Sequence, residues 1–156
     1  MKALHTYCRR RTAALLVCPL LLLATGFGCG NADRDNAEAT ALAFANAYFN
    51  YNFDEAAKFC TQDSRRWLAF AASNVYGADI EVLRNMDAGA TADVAGMDFP
   101  DGDSTAVATV EVANFMQRDT IGRAGRVVDE GVFTLSLVRR DGGWKVRMAD
   151  LPRNER

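Results

Sequence analysis

The apolar period of this chain changes once, at Gly89, and that change constrains the fold more than any other feature of the sequence. Upstream, apolar residues recur about every 3.6 positions; downstream, they alternate. From Ala37, the run "AEATALAFANAYFNYNF" sets Leu42, Ala45 and Phe49 on one stripe and Ala41, Phe44 and Tyr48 on the next, which is the broad apolar face of a long helix. Asn50 to Asn52 interrupts it. Asp54 is placed to cap a short second helix through Cys60, and Thr61 a third, with Asp63 in the first turn where the helix dipole favours an anion. Trp67, Phe70, Ala71 and Val75 recur at core spacing before Gly77, and a further short helix is expected over Asp79 to Met86.

Beyond Gly89, Ala90 to Phe99 and Thr105 to Met116 read as strands separated by the turn Pro100 to Asp103. A connection, "RDTIGRAGR", leads to the last and clearest segment. There Phe133, Leu135 and Leu137 alternate with polar neighbours, and Trp144, Val146 and Met148 do the same after "DGG". A two-residue type I′ turn at Asp141-Gly142 pairs Leu137 with Val146 and Leu135 with Met148. A slip of one residue would set Leu137 against Arg147, so burial selects the register. The same register puts Arg139 opposite Trp144, where a cation can lie on the indole. Helices followed by an antiparallel sheet predict an α+β fold, with N-terminal helices packed on a curved sheet and the long first helix in its concave face.

The other end of the chain speaks to location. Lys2, Arg9, Arg10 and Arg11 are followed by the uncharged run Thr12 to Gly28, broken by Pro19. That run is shorter than the roughly 20 apolar residues of a spanning helix and suits an export leader. "GFGC", Gly26 to Cys29, resembles the end of a bacterial lipoprotein signal, in which a small residue precedes a cysteine that is freed at its amine and acylated. The resemblance implies a signal peptide over 1–28, a palmitate-type lipid on Cys29, an acidic tether over 29–36 and a single domain over 37–156. It further implies a cell-envelope location, on the outer side of the inner membrane or in the outer membrane, facing the periplasm or the exterior. Ordinary leader cleavage near Gly26 and an uncleaved anchor are the alternatives.

Cleavage before Cys29 leaves 128 residues, enough for one core. It also leaves 14 Lys+Arg against 20 Asp+Glu, a net charge of about −6. Such a surface repels phosphate backbones, so nucleic acid is excluded as a partner. Cys8 and Cys18 depart with the leader and Cys29 takes lipid, so Cys60 stands alone and no internal disulfide can form.

The order of elements, with "DEAAKFCT" in the second helix and "RRDGGWKVRM" in the last hairpin, resembles the nuclear transport factor 2-like superfamily. Within it, the chain is similar to small lipoprotein domains described as lumazine-binding-like, of the wider cystatin-like α+β type. The resemblance implies a cone whose mouth can hold a ligand. Enzymes of that superfamily, ketosteroid isomerase among them, work there with an Asp base and a Tyr donor.

Little else in the sequence points to catalysis. The one histidine, His5, lies in the leader, which removes triads, imidazole shuttles and the usual metal sites from the domain. Tyr48 and Asp54 could supply a phenol and a carboxylate, but they read first as a core residue and a helix cap. Asp98, Asp101 and Asp103 lack the spacing of a calcium loop and read as a turn. Cys60 precedes a helix start, where thiolates are stabilised, yet it has no CxxC partner and reads as core. Arg65-Arg66 and Arg139-Arg140 read as salt-bridged surface. Tyr48, Trp67, Phe70, Phe115 and Trp144 could line the cone, although a domain of this size needs aromatic volume as core. The expectation is therefore a lipid-anchored binding or interaction module without cofactor or metal, whose partner is a protein or small molecule. A small-molecule lyase or isomerase using Asp and Tyr is the alternative, and the outer sheet face could pair two copies.

Overall fold

A computed structural model describes residues 29–102, 104–118 and 123–156. The expected leader, 1–28, therefore lies outside the described residues, as does most of the connection after Arg118. Four α-helices come first: α1 (Cys29–Phe49), α2 (Phe53–Phe59), α3 (Arg65–Ser73) and α4 (Gly77–Arg84), with a 3-10 turn over Gln62–Ser64. Four strands follow: β1 (Thr91–Asp98), β2 (Thr105–Gln117), β3 (Arg126–Arg140) and β4 (Gly143–Val146). They pair antiparallel in chain order, as an open curved sheet.

Helix α1 packs across all four strands. Its inner face is Ala37, Ala41, Phe44 and Ala45, all fully buried. The alanines let the backbone approach the sheet closely, and Phe44 fills the remaining volume. Facing it are Ala106, Ala108, Val110 and Val112 of β2 and Phe133, Leu135 and Leu137 of β3, buried at every second position as a two-residue period requires. Strand β1 lies on the edge, and α1 ties it down with side-chain amides. Ala90 N donates to Asn50 Oδ1 at 2.9 Å and Ala92 N to Asn46 Oδ1 at 3.2 Å. These bonds occupy donors that an edge would otherwise leave open.

The last hairpin has the expected register, with Leu137 opposite Val146 and Arg139 opposite Trp144. Asp141 and Gly142 both adopt positive φ, 51° and 78°, as a type I′ turn demands. Two details differ from expectation. Strand β4 ends at Val146, so Met148 does not pair with Leu135; its N–H donates instead to the buried Ser64 Oγ at 2.8 Å. Arg139 turns from Trp144 to Asp33, at 2.9 Å, because a carboxylate is a stronger partner than an indole face.

Three further expectations are corrected. The segment read as a tether is helical, since α1 already begins at Cys29. The cap of α2 is Asn52, whose Oδ1 accepts from Glu55 N at 3.2 Å, and Asp54 sits in the first turn. On α3 the buried stripe is Leu68 and Ala71, continuing from Ser64; Phe70 faces solvent and Trp67 is half-buried under Arg66. A stripe shifted by one residue from the aromatics satisfies the helical period equally well.

Candidate functional site

At the C-terminal end of α1 the chain must leave the helix and turn into α2, and the turn is made at Tyr51 with φ 61°. Left-handed backbone costs a residue bearing a Cβ roughly 1–2 kcal/mol, and glycine is the usual occupant at a helix end. Here the turn swings a phenol inward, where Tyr51 Oη donates to Met116 O at 3.1 Å. Tyr51 thereby bridges the helix end to strand β2.

Around this bridge lies a cavity of about 310 Å³. Its floor is a cluster of rings. Phe49 contacts Phe133 at 4.4 Å between centroids and Phe115 at 5.6 Å, and Phe115 meets Phe133 edge-on at 5.4 Å. Such offset and edge-to-face pairs hold one another in place. Tyr48 and Tyr51 both contact Phe53, at 5.8 and 5.6 Å, and form the helical side. The wall opposite is the chain's last segment, including Leu151, Arg153 and Asn154. Glu155 N donates to Val132 O at 2.9 Å and Val132 N to Asn154 Oδ1 at 3.1 Å, which attaches that segment to β3.

The polar chemistry of the cavity is one-sided. Burial holds both phenols above their ordinary pKa; for Tyr51 the neighbouring Arg118 guanidinium pulls the other way without reversing the shift. Both are therefore neutral donors near pH 7. The Tyr48 hydroxyl makes no hydrogen bond among the described residues. No Asp or Glu stands among the described lining residues. The two acids that act electrostatically on the phenols are engaged elsewhere. Asp79 accepts from Tyr76 N at 2.9 Å and Gly125 N at 2.8 Å, and Asp150 accepts from Arg153 at 2.6 Å. Asp93, Glu111 and Glu130 line instead a neighbouring depression of about 330 Å³ that shares Arg156 with the cavity, and there Arg156 pairs with Glu130 at 2.7 Å and Glu111 at 3.7 Å.

Of the five aromatics expected to line a cone, Tyr48 and Phe115 do so. Trp144 is buried core packed edge-on to Phe99, Trp67 lies on α3 away from the cavity, and Phe70 is 46% exposed. Asp54 is not in the cavity wall either. The residues that sequence reasoning missed are Tyr51, Phe49, Phe133 and Arg118. Tyr51 stood inside an Asn-rich helix break that could have flagged it; Arg118 carried no such signal. Cys60 is buried and its thiol is pushed up by desolvation, as a core residue's should be. Among the described residues no cluster of His, Cys, Asp and Glu could hold a metal, and no helix is long and apolar enough to cross a membrane.

No family model matches the chain, and no curated protein does. Solved structures do. One is a nuclear transport factor 2-like protein of unknown function from Shewanella oneidensis MR-1, at TM-score 0.50 and 14% identity, covering 72% of this chain and 93% of that one. A second is a "putative polyketide cyclase" from Xanthomonas campestris pv. campestris, at TM-score 0.40 and 15% identity, covering 74% and 92%. A third is a nuclear transport factor 2-like protein involved in plasmid conjugation, at TM-score 0.36 and 13% identity, covering 80% and 49%.

Proposed function

We propose that this domain, with the nuclear transport factor 2-like fold, is the ligand-holding body of a cell-envelope lipoprotein, fixed to a bacterial membrane by lipid on Cys29. It binds in the cavity at the end of α1 and does not transform what it binds. The observation that carries the binding half is the combination of an aromatic floor with phenols, amides and arginines and, among the described lining residues, no carboxylate. A ketosteroid-isomerase type of reaction needs a carboxylate base beside the phenol, and the described lining residues supply none. The anchoring half rests on the leader: four cations, a short uncharged run and a small residue before Cys29.

Two measurements test the two halves. Metabolic labelling with an alkynyl fatty acid should mark the full chain and leave Cys29→Ala unmarked; label retained by the variant removes the anchor. The Cys29→Ala chain, free of lipid and detergent, should take up a small neutral aromatic such as 2-phenylethanol, with amide shifts in its NMR spectrum confined to residues around Phe49, Phe115 and Phe133. An unperturbed cavity at millimolar probe would end the binding reading.

A further inference from the structure

Three arginines line the cavity, and their charges are disposed of differently. Arg153 is paired with Asp150, and Arg156 with Glu130 and Glu111. Arg118, at the end of β2, has no carboxylate partner among the described residues. Its guanidinium donates to the backbone carbonyls of Asn74 and Ala71, where α3 ends, and this anchors it without neutralising it. The carbonyls take one bond on each terminal nitrogen and the Tyr51 hydroxyl takes a third, so two of the five donors in the fork remain for an incoming acceptor. Beside it is Tyr48, whose hydroxyl is unspent. A half-buried cation in a cavity whose described lining holds no acid is electrostatically unfinished, and an anion completes it.

We propose that the ligand is a small amphipathic carboxylate whose head is held by Arg118 and the Tyr48 hydroxyl while its apolar body rests on Phe49, Phe115 and Phe133. This rests on the binding reading above and specifies it. One positive charge without a carboxylate partner matches a monoanion; a phosphate dianion would bring a second negative charge to a site whose other two arginines are already paired. Size is set by the cavity: 310 Å³ is room for roughly ten waters at about 30 Å³ each. A ligand of roughly ten non-hydrogen atoms follows, an aryl-acetic acid or a short branched fatty acid rather than a long-chain lipid.

Phenylacetate and its neutral isostere phenylacetamide form the test, titrated into the Cys29→Ala chain and followed by NMR. The carboxylate should bind about tenfold tighter than the amide, the worth of a hydrogen bond to a charged group. Arg118→Gln should abolish that preference by weakening the acid far more than the amide, and Arg118→Lys, which keeps the charge, should retain part of it. Added salt should weaken the acid and not the amide. Equal affinities in the unaltered chain, or a preference that survives Arg118→Gln, overturns the carboxylate and leaves the cavity as a site for neutral compounds. If Arg118→Gln fails to fold, the salt dependence and the Arg118→Lys titration still decide. Failure of both compounds to perturb the cavity overturns this inference together with the binding reading.

Discussion

Tyr48 and Tyr51 show how single side chains set both chemistry and stability at the end of α1. Each phenol is raised above its ordinary value of 10.0 chiefly by burial, so folding favours the protonated form. Such a group stabilises fully below pH 10.0, and its contribution is lost as pH rises from there through the higher folded value, because the unfolded chain releases its proton first. Cys60, raised for the same reason, acts in the same direction from its own ordinary value. Urea unfolding at pH 9 and pH 11 should show a marked loss of stability at the higher pH, and Tyr48→Phe should flatten that loss. Parallel behaviour of the two proteins would show that Tyr48 is not shielded as described. None of this is readable along the chain. Tyr48 could be identified as facing inward from its stripe, but the left-handed turn that brings Tyr51 beside it depends on where β2 ends and offers a carbonyl.

Among the elements, β3 carries the feature on which the cavity floor depends. Gly131 is buried opposite Val112, and a Cβ there would stand 2.8 and 2.9 Å from two carbons of the Phe115 ring. Gly131→Ala should therefore push that ring into the cavity, cost about 1–3 kcal/mol in urea unfolding, and weaken the uptake of any aromatic probe. Gly96→Ala, with open space around its added methyl, is the matched control and should change stability by no more than about 0.5 kcal/mol. The strands were the legible part of this architecture. Period-2 burial and a two-residue Asp-Gly turn leave one register for the last hairpin, and Leu137 meets Val146 accordingly. Helix α3 was less legible because Trp67 and Phe70 announce a face by their size, while the face in use is that of Leu68 and Ala71. Arg118 was illegible for a different reason: its role follows from two carbonyls at the end of α3, more than forty residues away, and from the lack of a carboxylate among the described lining residues, which only three dimensions reveal.

At the scale of the whole molecule, the chain's last residues form part of the cavity rather than trailing from it. Residues 152–156 are attached by Glu155 N to Val132 O, by Asn154 Nδ2 to Gln117 Oε1 at 3.2 Å, and by Arg156 to Glu130. The main core, α1 against the sheet, lies outside this segment. A chain ending at Leu151 should keep its circular dichroism spectrum, yet bind probes several-fold more weakly because one wall is gone; unchanged affinity would show that the tail does not enclose the ligand. The fold class, the order of elements and the single core were recoverable from the sequence. A wall built from a six-residue tail without secondary structure was not, since nothing in "LPRNER" distinguishes a docked end from a free one.

Helix α1 has one mechanical implication. It is a 21-residue rod whose first residue is Cys29 and whose last turn carries Tyr48 and Phe49. At 1.5 Å per residue it measures roughly 30 Å. If Cys29 carries the acyl group proposed above, the binding pocket at the other tip is held on a stiff spar instead of drifting on a leash. Guests would then be captured from the aqueous phase at a set height above the bilayer, and only a spar lying flat could bring the pocket down to the lipid.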